Sequence, residues 1–362
     1  MMLYSYQYFF MTFLSCLASV FPLIAAENYF GTSIWPLFPI GLLIGLLFNE
    51  AFLLFQKADK SFFDNLSEQA GSFLYKCISL IFMLYFIVSA AFFTNYFAFL
   101  TEENALHETE VLLIIVFFLS AATIAASQDI MAIGRSAAVL GIFAAVFCVI
   151  AVIVQFSGGS LYRLFPVSFP DGEKLNKTMV FLIGTTCGES ISTLIFKGNV
   201  LAHKKAGMIS VCAVFFGVML AILLSMAGIT TSGQSTWLHE AAFYRMSSSF
   251  HTGSFLRSVG VIALGVYFIC ALFKTTMLVK SASSCMFALV KFKNPWYLYA
   301  VIFILTVCMS AAIGNSSLES VTNYIELYPI FAFLPCIIMP CLLLFSSLFH
   351  SVREVLKRKI KV

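Results

Sequence analysis

Charge is what this sequence has least of. Of its 362 residues, 10% are Asp, Glu, Lys or Arg and 61% are hydrophobic. The mean hydropathy is +0.97. A soluble domain carries about 25% charged residues, so a soluble enzyme of this size is excluded, because nothing would cover its surface. Long polar segments are missing too. The longest polar connections run to about 20–25 residues, too short to bury a core of their own. There is no glycine-rich phosphate loop ending in Lys-Ser/Thr, so this chain is no ATP-driven pump. There is no HExxH and no GxSxG, which removes support for a metalloprotease or a hydrolase. The ten cysteines form no CxxC pair and no Cys/His cluster, and the five histidines include no metal-ligand pair. Cys16, Cys148, Cys187, Cys270 and Cys308 lie in apolar segments and read as small buried hydrophobes. The net charge of +4 is too small to suggest nucleic acid. The N-terminus lacks the basic stretch of a cleaved signal peptide, so the first apolar run is expected to stay as a helix. With no catalytic constellation, the reading is a protein that is not an enzyme and carries no cofactor or metal.

What the chain has in abundance is apolar runs. A span needs roughly 20 apolar residues, and about ten such stretches are present. The expected helices run about 5–26, 32–55, 71–100, 109–127, 134–156, 178–196, 206–230, 254–282, 296–314 and 328–350. They describe an all-α, polytopic membrane protein that sits in a lipid bilayer. Lys and Arg set its orientation. With the N-terminus inside, the inner loops hold Lys57, Lys60, Lys76, Arg135, Lys197, Lys204, Lys205, Lys280, Lys291 and Lys293. The inner tail adds Arg353, Lys357, Arg358, Lys359 and Lys361. The outer loops hold Arg163, Lys174, Lys177, Arg245 and Arg257, so the count is 15 inside against 5 outside. Both termini are therefore expected in the cytoplasm. Trp35, Trp237 and Trp296 fall near the expected interfaces, as an aromatic belt would.

Ten spans divide as five plus five. The link after helix 5 is the natural seam, which makes helices 1 and 6 equivalent in an inverted repeat. The expected organisation is a first repeat over 1–156, a second over 157–352, and a basic tail over 353–362. In transporters of this kind, two interrupted helices in equivalent positions mark the site. Helix 6 fits, with Gly184, Thr185, Thr186, Cys187, Gly188, Glu189 and Ser190 in mid-span. Helix 1 offers Ser15, Cys16, Ala18 and Ser19, then Pro22, which frees the Ala18 carbonyl. Two charges lie at membrane depth, where they are costly and usually functional. Glu189 is a candidate proton carrier, or an acceptor for the interruption or for a ligand amine; alternatively it is a structural acid that satisfies loose N–H groups. Lys274, in helix 8, is a candidate for binding a carboxylate or for pairing with Glu189. It can also snorkel to the interface, with Lys280 less than two turns away. Tyr267 falls two turns before Lys274 on the same face. Glu50, at the end of helix 2, reads as interfacial. Thr94 and Asn95 sit near the outer end of helix 3, where they would face headgroups.

The order of these segments resembles the permease-like B subunit of bacterial spore germinant receptors, within the amino acid–polyamine–organocation superfamily. The likeness runs over nearly the whole chain. It starts with "YQYFFMTFLSCLASVFPLIAAE" followed by Trp35. It continues with Arg135 in "SQDIMAIGRSAAVLGIF", "LYRLFPV", Glu189 in "IGTTCGESISTLIF", "HKKAG", "SFLRSVGVIALGVYFICALFKTTMLVKSAS", and Pro335 in "NYIELYPIFAFLPCIIMPCLLL". Helix 1 departs from the superfamily, lacking the glycine pair of its unwound segment. The resemblance implies a leucine-transporter-like fold with helices 1 and 6 broken at the midplane and helices 3 and 8 completing a pocket. It implies a small nutrient ligand, an amino acid or similar. The pocket would use Ser15, Cys16, Ala18, Ser19, Gly184, Thr185, Thr186, Gly188, Glu189, Tyr267 and Lys274, with Glu189 and Lys274 carrying any coupling or proton step. It also implies two partners, a larger membrane subunit and a lipoprotein, in the spore inner membrane. A proton- or sodium-coupled amino acid symporter of the same fold is the alternative.

Overall fold

The computed structural model describes residues 2–31, 34–56, 60–104, 106, 108–165, 167, 172–201, 203–232, 257–290 and 294–346. The tail 353–362, Lys57, Trp237, Arg245, Lys291 and Lys293 lie outside them. In hydrocarbon every backbone polar group must be satisfied within its own segment, which leaves apolar runs little choice but helix. Nine helices among the described residues are long and apolar enough to cross a bilayer, and Val111–Ser127 adds a shorter apolar one.

In chain order, α1 has two halves, Ser5–Leu17 and Val20–Phe30. Next come α2 (Leu37–Phe55), α3 (Phe62–Asn104), α4 (Val111–Ser127) and α5 (Ile130–Gly158). α6 begins at Gly172–Leu182 and ends at Ile195–Asn199. α7 (His203–Ser232), α8 (Arg257–Leu289) and α9 (Pro295–Ile313) follow. α10 runs from Ser317–Phe333 through Leu334–Ile338 to Ser346.

The helix ends follow local chemistry. Gly71, at φ 76°, separates a short polar helix from the long span of α3. α10 starts eleven residues before the expected position 328. The Ser316 side chain accepts the Glu319 N–H at 3.3 Å, and the Glu319 carboxylate accepts the Asn315 N–H at 2.9 Å. This capping arrangement starts the helix among polar residues that hydropathy alone leaves in a loop.

Burial ranks the spans. The apolar windows of α1 and α6 are each 89% buried, whereas those of α5 and α9 are 28% buried. α1 and α6 therefore run through the centre and α5 and α9 face outward. Contacts between helices come in matched pairs when α1–α5 are laid on α6–α10. α1 packs on α7 and α6 on α2; α1 on α5 and α6 on α10; α3 on α9 and α8 on α4; α3 and α8 pack on each other. That is the pattern of a five-plus-five inverted repeat. Small residues allow the closest approaches. A Cβ on Gly45 of α2 would stand 2.5 Å from Cys187 Cβ, and one on Gly188 would stand 2.4 Å from Cys336 Sγ of α10.

Candidate functional site

Both central helices are interrupted at the same depth. In α1, Pro22 has no N–H for the Ala18 carbonyl, which accepts from Phe21 N–H at 3.3 Å instead. Ser19 N–H bonds to Cys16 O at 3.0 Å. The hydrogen bonding tightens to three-residue spacing, while Ala18 and Ser19 keep right-handed dihedrals. Without a glycine pair, the chain changes helical pitch here rather than leaving the helix.

In α6 the change goes the other way. Residues Ile183–Gly188 form a π-helical turn. The Glu189 N–H reaches back five residues to Gly184 O at 2.8 Å, so it does not take the Thr185 carbonyl. That carbonyl instead accepts Ser19 Oγ–H at 3.0 Å and a Lys274 Nζ–H at 3.2 Å. The two interruptions thus meet at one oxygen, with Lys274 of α8 on it. The Thr185 and Thr186 hydroxyls donate back to Phe181 O and Leu182 O, a pattern that bends helices.

Lys274 does not reach the interface. It is 1% exposed, and its Nζ lies 2.5 Å from Glu189 Oε2, with Ser19 Oγ at 3.4 Å. The ammonium also sits 5.0 Å from the centre of the Phe93 ring of α3, a cation–π arrangement. The other carboxylate oxygen, Glu189 Oε1, accepts from Tyr328 OH of α10 at 2.8 Å. Tyr328 OH lies 3.1 Å from Tyr85 OH and 3.4 Å from Ser89 Oγ. Tyr85 in turn accepts from Cys336 Sγ–H at 3.0 Å. The result is a buried charge pair from α6 and α8 within a net of hydroxyls from α1, α3 and α10.

The other sequence candidates are placed as follows. Ser15 is buried, and Cys16 is buried against Gly217 of α7, where a Cβ on the glycine would come within 2.8 Å of Cys16 Cβ. Gly184 and Gly188 let α10 approach α6: a Cβ on Gly184 would stand 2.9 Å from Ala332 Cβ. Tyr267 is buried and packs edge-on to Phe21, ring centres 6.1 Å apart. Glu50 is exposed. Asn95 is buried rather than at the headgroups; its amide donates to Ser310 O and its carbonyl accepts from Ser320 Oγ–H, which ties α3 to α9 and α10.

Sequence reasoning missed Tyr328, Phe93 and the role of Tyr85. The signal was there as spacing: Tyr324 and Tyr328 lie four apart on one face, as do Tyr85 and Ser89. It also missed two further buried charges. Glu27 accepts from Ser225 Oγ–H of α7. Lys197, at the end of α6, donates to Leu53 O at 2.8 Å and Gln56 O at 3.2 Å, and so caps the C-terminus of α2.

A search of curated proteins finds no match. Among solved structures, the chain superposes on MhsT in complex with L-phenylalanine with a TM-score of 0.64 at 13% identity, covering 96% of each chain. It superposes on the Eremococcus coleocola manganese transporter, in complex with an aromatic bis-isothiourea substituted compound, with a TM-score of 0.58 at 10% identity, covering 95% of this chain and 85% of that one. These likenesses give the fold, the leucine-transporter type. The family described as spore germination protein matches residues 2–318. With ten apolar helices among the described residues, two of them interrupted at the centre of an inverted repeat, this is a multi-pass, transporter-like membrane protein, and it belongs to the spore germination protein family.

Proposed function

We propose that the chain is the nutrient-sensing membrane subunit of a spore germinant receptor, and that its ligand is a free amino acid or a similar small zwitterion. The observation that supports this most is the Glu189–Lys274 pair, 2.5 Å apart and buried where α1 and α6 are interrupted. An amino acid carries the same two charges. Its carboxylate replaces Glu189 on Lys274, and its ammonium takes Glu189 and the Thr185 carbonyl. The exchange leaves no unpaired charge in a low-dielectric site, the condition a buried ionic site must meet. Phe93 and Tyr328 touch the pair, with Tyr85 behind Tyr328 and Phe21 packed on Phe93, and these rings suit an apolar or aromatic side chain. Ligand binding favours one of two packings of the repeats, 1–156 and 157–352, and partners read the shift. Those partners are a larger membrane subunit and a lipoprotein in the spore inner membrane. The lysine-rich end of the bundle is cytoplasmic, with both termini on that side, in line with the 15 to 5 bias in Lys and Arg.

Spores carrying Glu189→Gln or Lys274→Met should need about tenfold more amino acid, or still higher concentrations, for half-maximal germination. Dose–response curves matching wild type for both variants, at equal protein level, would remove the pair from the mechanism. A second reading, a proton- or sodium-coupled symporter, draws support from the shared transporter fold. Uptake of an amino acid by liposomes holding this chain alone favours it; binding without uptake favours the sensor.

A further inference from the structure

At the end of the bundle where Leu3 meets Val200 there is a cavity of about 420 Å³. It belongs to a different set of residues from the central pair. Lys280 lies six residues beyond Lys274 on α8, about 9 Å further along the helix. The starts of three helices line the cavity: α3 at Phe62, α5 at Ile130 and α9 at Pro295. Each presents the positive end of its dipole; the Trp296 N–H is already taken by Asn294 Oδ1 and the Asp64 N–H by Ser61 Oγ, so the charge-bearing donors are side chains. Between them stand Lys280 and Tyr299, with the hydroxyls of Ser61, Ser283 and Ser284.

Two side chains hold unused donors. Lys280 gives one proton to Gln128 O at 2.7 Å and one to Tyr299 OH at 3.0 Å. An ammonium has three donors, and the third has no acceptor among the described residues. Tyr299 is 8% exposed, and its hydroxyl accepts from Lys280. Its own proton has no acceptor among the described residues. A buried phenol proton and a spare ammonium proton at one cavity, backed by three helix starts, form a site for negative charge. The one acid at the cavity is Asp129, exposed, with no side-chain hydrogen bond at the start of α5.

We propose that this cavity binds a small anionic group, a carboxylate or phosphate, with Lys280 and Tyr299 as its principal donors. The group comes either from a free ion or from an anionic lipid headgroup. The proposal is independent of the sensing role assigned to Glu189 and Lys274. The test uses the full chain in nanodiscs of phosphatidylcholine, titrated with inorganic phosphate at fixed ionic strength, with thermal stability as the readout. Phosphate should raise stability saturably where chloride does not. Tyr299→Phe, which keeps the ring packing, should weaken the response about tenfold, and Lys280→Gln should remove it. Asp129→Asn should tighten binding by about twofold or more, because it removes a like charge. A second arm uses nanodiscs with phosphatidylglycerol. Stabilisation by that lipid, erased by Tyr299→Phe and not increased by phosphate, identifies a headgroup; a phosphate response that ignores lipid composition identifies a free ion. Stability unmoved by both phosphate and phosphatidylglycerol overturns the proposal. So does weaker binding in Asp129→Asn, which would mean a cationic or zwitterionic guest.

Discussion

Lys274 and Glu189 compensate each other in a buried site. Both are buried to within 2% of full enclosure, and neither has water to turn to. Removing one partner leaves an uncompensated charge, whereas replacing both with uncharged groups of similar size is close to neutral. Glu189→Gln or Lys274→Met alone should therefore lower stability by about 3–5 kcal/mol, while the double variant recovers most of that loss. Thermal unfolding of the three proteins in one lipid checks the cycle; a loss in the double variant equal to the sum of the two single losses would mean that the pair is not coupled. Tyr328→Phe removes the hydroxyl that donates to Glu189 and should cost about 1–3 kcal/mol, with the amino acid response weakened. Glu189 and Lys274 were legible in the sequence because a charge in a long apolar run stands out. Tyr328 and Phe93 were not, because aromatic residues are common here, with 41 phenylalanines and 14 tyrosines, and only the fold shows which of them face the charges.

At the scale of the helix, the proposed site rests on two departures from regular hydrogen bonding. Pro22 tightens α1 at Ala18–Ser19, and the π turn over Ile183–Gly188 widens α6. Pro22→Ala should restore a donor to the Ala18 carbonyl and straighten α1, raising thermal stability by about 1–3 kcal/mol. It should also weaken ligand binding, because Ser19 would turn away from the Thr185 carbonyl. A stabilised variant that binds as well as wild type would show that the interruption of α1 is incidental. Close packing gives another test. Gly188→Ala places a Cβ 2.4 Å from Cys336 Sγ, so it should cost about 1–3 kcal/mol, and Cys336→Ala should restore part of it in a thermal melt. The glycines in helix 6 were read from sequence as signs of a break. They also set how near α10 comes, a role that needs the partner helix in view. The start of α10 was missed for a related reason: hydropathy places a helix where the chain is apolar, while the Ser316–Glu319 cap starts it among polar residues.

At the scale of the whole molecule, α1 is fastened at both ends around the pair. Leu3 exchanges backbone bonds with Asn199 O at 2.6 Å and Leu201 N at 2.9 Å, which ties the start of α1 to the end of α6. At the other end Tyr29 OH donates to Glu326 of α10 at 2.5 Å. In the proposed sensor, a zwitterion reaches the buried pair only when one of these two ties opens. The architecture was readable from sequence because composition alone forces helices in a membrane, and the repeat follows from their number and order. The pairing of Glu189 with Lys274 stood in the sequence as one alternative beside snorkelling to the interface; the fold, which brings residues 85 positions apart together, decides between them. The central claim is that this pair is the ligand site. It is tested most directly by screening amino acids for thermal stabilisation of the chain in lipid nanodiscs, wild type beside the Glu189→Gln/Lys274→Met double variant. The account predicts that at least one amino acid stabilises wild type and none stabilises the equally folded double variant. A ligand that stabilises both proteins alike would contradict it.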